Sequence, residues 1–435
     1  MKRFIYTIIL LAVAATSGTA QMSKATKSAF ALTNATIYTV SEAGVLEEAT
    51  LLIEDGEITA IGTNVEVPAG AETIDCEGKR IYPGFIDGGT RLGLVEVNSL
   101  EETRDYREIG EITPHVQALT AVNPNSVSIP VTRVSGVTTV IAAPTGGLFP
   151  GTSALINLHG YTPKQMYAGF KAVCMAFPSS ARRGRYDRRS DEKIKKEREE
   201  AMQQLKDSWE NAELYARIDS AHREDPEANE APDYYPEMAA LAEVITGERK
   251  LMIEVNSAHD ILDAIDWSEE NNVEPIFTGV SEGWRVAEQL AEANIPVVTG
   301  PVISIPTREA DRFDKAYANA GLMDDAGVTV AIRTNEAENV RNLPYHAGFA
   351  AAYGMDPEAA LAAVTRVPAE MFGVSDRLGT LEEGKEANLF VCDGDPFETR
   401  TTVNHVFISG WKIPNDSRHI RLYQEFLERE PGLTK

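Results

Sequence analysis

Cysteine is scarce in this chain: Cys76, Cys174 and Cys392 are the only three in 435 residues. So few thiols, so widely scattered, exclude a disulfide framework. Cys76 and Cys392 can meet only if the two chain ends share a sheet, and buried free thiols are the simpler expectation. Positive charge is short as well, with 41 Lys and Arg against 66 Asp and Glu and a net charge of −25. Such a surface repels nucleic acid and anionic membranes, so neither is expected as a partner. Beyond the first twenty residues no apolar run approaches the roughly 20 residues of a transmembrane helix, and no membrane insertion is expected. Histidine numbers only seven. No G-x-S-x-G elbow and no cysteine–histidine pairing offers a metal-free nucleophile. Internal repeats and low-complexity tracts are absent too.

What is present begins with a leader. Lys2 and Arg3 precede an apolar run from Phe4 to Ala15, and Gly18-Thr19-Ala20 supplies small residues before Gln21. Residues 1–20 therefore read as a cleaved secretory signal peptide, with a periplasmic or secreted destination. No cysteine follows it to carry a lipid anchor. The remainder, with 43% hydrophobic and 25% charged residues overall, has the balance of an ordinary globular protein. Its length suits a barrel of about 250 to 300 residues with a smaller unit attached.

Residues 29–80 consist of short alternating or apolar runs broken by turn signals. Asp55-Gly56, between Leu51-Ile53 and Ile58-Ile61, predicts a hairpin because that dipeptide tolerates positive φ. The tail, residues 375–435, has the same β character in E-A-N-L-F-V-C and V-N-H-V-F-I-S-G-W-K-I. Neither end has apolar surface for a core of its own, so the two are expected to form one composite β-sandwich. Between them, over 81–374, Val- and Ile-rich runs at 137–143, 154–158, 250–255, 275–278, 296–299 and 328–332 alternate with helical patterns at 260–271, 283–293, 309–320 and 357–365. That alternation predicts parallel βα units, and its length a (β/α)8 TIM barrel. The segment 182–230 is the least barrel-like. Its charges of both signs lie three and four apart around a narrow stripe of Ile194, Met202, Leu205, Trp209 and Leu214, which predicts a long solvated helix or, more sharply, a partner-binding one.

The stretch R-I-Y-P-G-F-I-D-G-G-T-R-L-G-L at 80–94 resembles the amidohydrolase superfamily's first barrel strand, where P-G-F-I-D is followed by a residue and then His-x-His. The leader strands with D-G-E-I-T-A-I-G resemble that family too, as do G-V-T-T-V at 136–140 and the tail G-T-L-E-E-G-K-E-A-N-L-F-V-C-D-G-D-P. The nearest likeness is to imidazolonepropionase-like exported members. The resemblance implies a hydrolase of non-peptide C–N bonds that uses zinc or another divalent metal to activate water. This chain departs from it at each metal station. Gly89 and Arg91 stand where strand-one histidines belong. Glu254 and Asn256 stand where strand-five histidines belong, Gly279 where the strand-six histidine belongs, and Asn335 where the strand-eight aspartate belongs. An amide cannot take a proton from water. Lys171 is only a candidate for the bridging lysine that some members carry. His115, His259 and His346 are the histidines nearest the expected mouth, and His259 is expected on the surface.

With no metal expected, Arg91 and Glu254 are each costly to leave unpaired at the mouth. They are therefore expected to pair, with Asp87 or Asn335 completing the hydrogen bonds and Arg333 competing for the same carboxylate. Candidate pocket residues are Asp87, Thr90, Arg91, Glu254, Asn256, Thr278, Arg333 and Asn335. Gly146-Gly147 with Gly151-Thr152-Ser153 reads as an ordinary loop more readily than as an anion cradle, and Ser281 as a helix cap. The expectation is a catalytically degenerate member that binds a small molecule or serves as the inactive partner of an active paralogue. The alternatives are a working amidohydrolase with an atypical metal site, or a structural protein that associates with itself or others.

Overall fold

The computed structural model describes residues 24–182, 187–308 and 310–429. The signal peptide expected over 1–20 lies outside them, as do 183–186 of the charged segment, position 309 and the last six residues.

Five strands open the chain: β1 (Phe30–Tyr38), β2 (Val45–Glu54), β3 (Glu57–Gly62), β4 (Glu72–Asp75) and β5 (Arg80–Pro83). β2 turns into β3 at Asp55-Gly56, whose φ angles of 51° and 104° are those a tight hairpin demands. Eight strands then build the barrel: β6 (Phe85–Thr90), β7 (Val137–Ala142), β8 (Gly151–Asn157), β9 (Tyr167–Ala176), β10 (Lys250–Val255), β11 (Ile276–Gly279), β12 (Val297–Thr299) and β13 (Val330–Ile332). β14 (Leu389–Cys392), β15 (Val403–Ile408) and β16 (Trp411–Ile413) return to the first sheet, β14 pairing with β5.

The terminal unit is one continuous sheet in the order β16-β15-β14-β5-β1-β2-β3, with β4 beside β1. It folds over on itself. Phe30 of β1 and Phe407 of β15 are separated in the sheet by β5 and β14, yet their rings meet edge to face at 5.1 Å. The sandwich-like core of Leu32, Ile37, Leu51, Ile53, Ile58, Leu389 and Phe407 is thus made from both chain ends. Cys76 is buried in that core and Cys392 in the cluster shared with the barrel, both as free thiols. An aromatic seam joins this unit to the barrel: Tyr38 stacks on Tyr82, Tyr82 on Phe390, and Phe390 meets Phe85 of β6 at 4.8 Å. A side chain at Gly136 would strike the Phe390 ring at 2.7 Å, so this glycine lets the seam close.

The barrel departs from regular βα repetition at β8, which runs antiparallel to both β7 and β9. Residues 143–150 are too few for a helical crossover, which takes about a dozen residues, so the chain turns straight back. β9 was not predicted; Gly169 and Lys171 interrupt its apolar run. Each strand contributes one residue to an inward layer: Ile86, Ile141, Leu155, Ala172, Met252, Ile276, Val298 and Ala331. Ala369, Phe372, Val374 and Leu378 pack beneath it and seal the floor.

Outside, the long helix Asp191–Glu224 is capped by Ser190, which accepts from the Lys193 N–H. It buries Ile194, Leu205 and Trp209, the last edge-on to Trp267, and leaves its charged faces in water. Three expected helices shift. Glu309–Ala320 becomes Lys315–Asp325, 283–293 becomes a 3-10 turn at Gly283–Arg285 followed by Ala287–Glu292, and 357–365 ends at Ala362.

Candidate functional site at the barrel mouth

Side chains on a strand alternate faces, so the inward positions nearest the mouth lie two residues beyond the apolar layer. They are Gly88, Ala143, Ser153, Cys174, Glu254, Thr278, Gly300 and Arg333. Polar chemistry in this layer comes chiefly from β10, β11 and the end of β13. The Arg333 guanidinium reaches both oxygens of Glu254 at 2.8 Å. Thr278 donates its hydroxyl to Glu254 Oε2 at 2.7 Å, and Asn256 Nδ2 donates to Oε1 at 3.1 Å. Ser281 in turn donates to Asn256 Oδ1 at 2.5 Å, so it extends this network and caps no helix.

Burial pushes the Glu254 carboxyl up, but Arg333, then Thr278 and Asn256, outweigh it and hold the group below the usual carboxylate range. A carboxylate so stabilised, with both oxygens engaged, is a poor base at neutral pH. Cys174 offers no nucleophile either: burial pushes its thiol up to about 11, so it stays protonated.

The expected Arg91–Glu254 pair does not form. Arg91 donates to the Asn335 carbonyl at 2.8 Å and lies over the Tyr106 ring at 5.4 Å, while Arg333, the competitor, takes the carboxylate. Each arginine directly follows the last residue of its strand, but Arg333 reaches inward across the mouth whereas Arg91 turns toward the loop carrying Tyr106. Asp87 and Thr90 do not face the mouth as pocket groups. Asp87 is fully buried and accepts from the Thr334 hydroxyl at 2.6 Å, the Thr334 N–H and the Gly89 N–H. With the Asn335 N–H on Gly89 O and the Arg91 N–H on Glu336 O, it clasps β13 to β6 where no regular ladder closes the barrel. Burial pushes Asp87 up to about 7 against those hydrogen bonds. Thr90 spends its hydroxyl on Ile141 O and the Leu92 N–H. Asn335 takes a left-handed φ of 54°, which Asn tolerates better than most residues.

Other candidates also find local explanations. Lys171 lies on the barrel's outer face, donating to Gln117 at 2.7 Å, and cannot bridge groups at the mouth. His259 is exposed near Asp263. His346 accepts from the Val302 and Ile303 N–H groups through Nδ1, and burial pushes it down to about 4, so it props the loop after β12 as a neutral ring. The buried His115 Nδ1 has no hydrogen-bond partner among the described residues. Gly146 and Gly147 are covered by Arg107 and by the backbone of Gly110 and Glu111, which leaves no anion cradle.

Comparison with known proteins decides the family. The sequence profile described as "Amidohydrolase family" matches residues 80–412, and that described as "NagA composite domain" matches 29–81. The chain belongs to the amidohydrolase family. Amidohydrolase tasK of Hapsidospora irregularis is 24% identical over 394 residues, 83% of this chain but 39% of that protein. An imidazolonepropionase of Thermoplasma volcanium is 30% identical over 136 residues, 28% of this chain and 33% of that protein. The chain thus spans well under half the length of these curated relatives. The crystal structure of an amidohydrolase from Thermotoga maritima MSB8 superposes with a TM-score of 0.77 at 25% identity, covering 88% of this chain and 99% of that one.

Set against the amidohydrolase pattern, the substituted stations fit one another. A Cβ on Gly89 would lie 3.0 Å from Arg333 Cδ, so the arginine crosses the room a side chain there would need. A Cβ on Gly279 would lie 2.6 Å from both Glu254 Oε1 and Asn256 Oδ1, so the strand-six room holds the new carboxylate and amide. The donor set at these stations is one carboxylate already neutralised by a guanidinium, two amides and no imidazole, which does not fit a divalent cation. Among the described residues no group of three or more His, Cys, Asp and Glu side chains converges as metal ligands. Sequence reasoning missed a neighbouring cavity of about 240 Å³ between the loops after β11 and β12, walled in part by Trp284, Asp311 and Lys315. Only the rule that ligands collect at strand C-terminal ends pointed to those loops, since Trp284 and Lys315 share no motif.

Proposed function

We propose that this protein is a catalytically degenerate amidohydrolase in which the Arg333–Glu254 ion pair stands in for the catalytic metal, and that it binds a small molecule at the barrel mouth without hydrolysing it by the family's metal route. The observation that carries this reading is the mutual fit of Arg333 over Gly89 and of Glu254 and Asn256 against Gly279. A guanidinium supplies the fixed positive charge of the lost cation but cannot lower the pKa of a water molecule as a Lewis acid does. With Glu254 held ionised and engaged, and Asn335 an amide, no side chain of this set accepts a proton from water. The charged leader at 1–20 supports export, and N-terminal sequencing of protein recovered from the periplasm or medium tests it.

Elemental analysis of protein purified without added chelator tests the central claim. The expected result is metal well below one ion per chain and no hydrolysis of small amides or cyclic ureides with or without added zinc. Stoichiometric zinc or manganese that disappears in Glu254→Gln would overturn it. Thermal-shift screening with small amides and cyclic dipeptide-like compounds then separates a ligand binder from a scaffold.

A further inference from the structure

The cavity between the loops after β11 and β12 has a definite electrostatic character. Trp284 forms part of its wall, with the Arg285 guanidinium 4.1 Å and the Lys315 ammonium 4.5 Å from the indole centroid. Arg285 is committed to Asp311, and Arg308 grips the buried Glu282 through two bonds of 2.5 Å. Lys315 has no carboxylate within ion-pair distance among the described residues. Among the described residues these three cations therefore face two carboxylates, a local positive excess in a chain whose net charge is −25.

The polar groups around Lys315 divide into spent and available. Asn319 is exhausted on Trp284 N–H, Val280 O and Thr299 Oγ1, and the Thr299 hydroxyl goes to Gly279 O. The hydroxyls of Ser304 and Thr307, which also line the cavity, make no hydrogen bond among the described residues. An ammonium without a carboxylate partner, two free hydroxyls and an aromatic wall are what a carboxylate attached to a flat or apolar body requires. At about 240 Å³ the space falls below the roughly 300 to 1,000 Å³ of drug-sized sites, which limits the guest to the size of a single amino acid or a small aromatic acid.

We propose that this cavity binds a small organic acid, its carboxylate on Lys315 and its body against Trp284. The inference deepens the ligand-binding reading above and rests on it only in assigning binding to this end of the barrel. Lys315 is a binding group here, separate from the Arg333–Glu254 pair.

Isosteric acid and amide pairs test it: benzoate with benzamide, and N-acetylglycine with N-acetylglycinamide, titrated into the full-length mature protein by calorimetry and tryptophan fluorescence, without and with a chelator. The acids are expected to bind at least about tenfold more tightly than their amides, the worth of one charge-assisted hydrogen bond. Lys315→Met is expected to abolish the preference, and Lys315→Arg to keep it. Circular dichroism of each variant controls for folding. Equal binding of acid and amide, no binding of either acid, or an acid preference that survives Lys315→Met overturns this inference and leaves the metal-free reading standing. Acid binding that vanishes on adding chelator overturns both, because a metal would then hold the carboxylate.

Discussion

The Arg333–Glu254 pair makes an asymmetric prediction. Arg333 keeps 8% of its side chain exposed and Glu254 38%. Glu254→Gln leaves a buried guanidinium without its counter-charge, with the glutamine oxygen and the Gly300 carbonyl at 3.4 Å as its acceptors, and such an uncompensated charge costs about 3–5 kcal/mol. Arg333→Met leaves a carboxylate that still accepts from Thr278 and Asn256 and is open to water, a loss of about 1–2 kcal/mol. The double variant removes both charges and fills the space with an apolar chain of similar reach, so its cost should be no greater than about 2 kcal/mol. The singles should therefore overshoot the double by about 3 kcal/mol in a double-mutant cycle read by urea unfolding at neutral pH. Because the folded Glu254 carboxyl is held below the usual range, its contribution is present above the ordinary carboxylate pKa and fades as acid titrates the folded form. Additive single effects, or a Glu254→Gln variant as stable as wild type, would refute the claim that this pair replaces the metal as the structural centre of the mouth.

Three further outcomes follow from the same geometry. Asp87 is raised to about 7 in the folded state, so the folded chain holds that proton more tightly than the unfolded chain does. Its contribution is complete below about pH 4 and declines as pH rises through 7, by roughly 4 kcal/mol at most. Unfolding curves should show the advantage of wild type over Asp87→Asn shrinking across that window, and a constant difference would contradict it. Gly279→Ala, at φ 84° with its Cβ 2.6 Å from Glu254 Oε1, should cost about 2–4 kcal/mol in urea melts through backbone strain and overpacking together. Restoring histidines by Gly89→His with Arg91→His should not create a zinc site in equilibrium dialysis while Arg333 occupies that room. Tight zinc binding by that variant would show the arginine to be no obstacle.

Much of the fold was legible because it rests on local patterning. Asp55-Gly56 marked its hairpin, the Val- and Ile-rich runs marked most barrel strands, and the leader-strand and tail motifs located the two halves of the terminal sheet. β9 was missed because Gly169 and Lys171 dilute its pattern, and the reversal at β8 went unread although the shortness of 143–150 forbade a crossover. Gly89, Arg91, Glu254, Asn256, Gly279 and Asn335 could be singled out as candidates because the surrounding motif marks their places. Their partnerships were not legible. Arg91 and Arg333 both end barrel strands and carry the same charge, and only the direction each leaves its strand assigns Glu254 to one of them.

The amino-acid sequence by itself determined the family, the barrel and the absence of histidine from Gly89, Arg91, Glu254, Asn256 and Gly279, because each is carried by residue types at set spacings along one strand. Tertiary structure alone decided what these residues meet at the mouth. The side-chain room of Gly89 is taken by a residue 244 positions away, that of Gly279 by two residues from the neighbouring strand, and the Asp87 of the opening motif serves as the clasp that closes the barrel. Such contacts depend on the curvature that brings β13 back to β6, and no spacing within a strand records it.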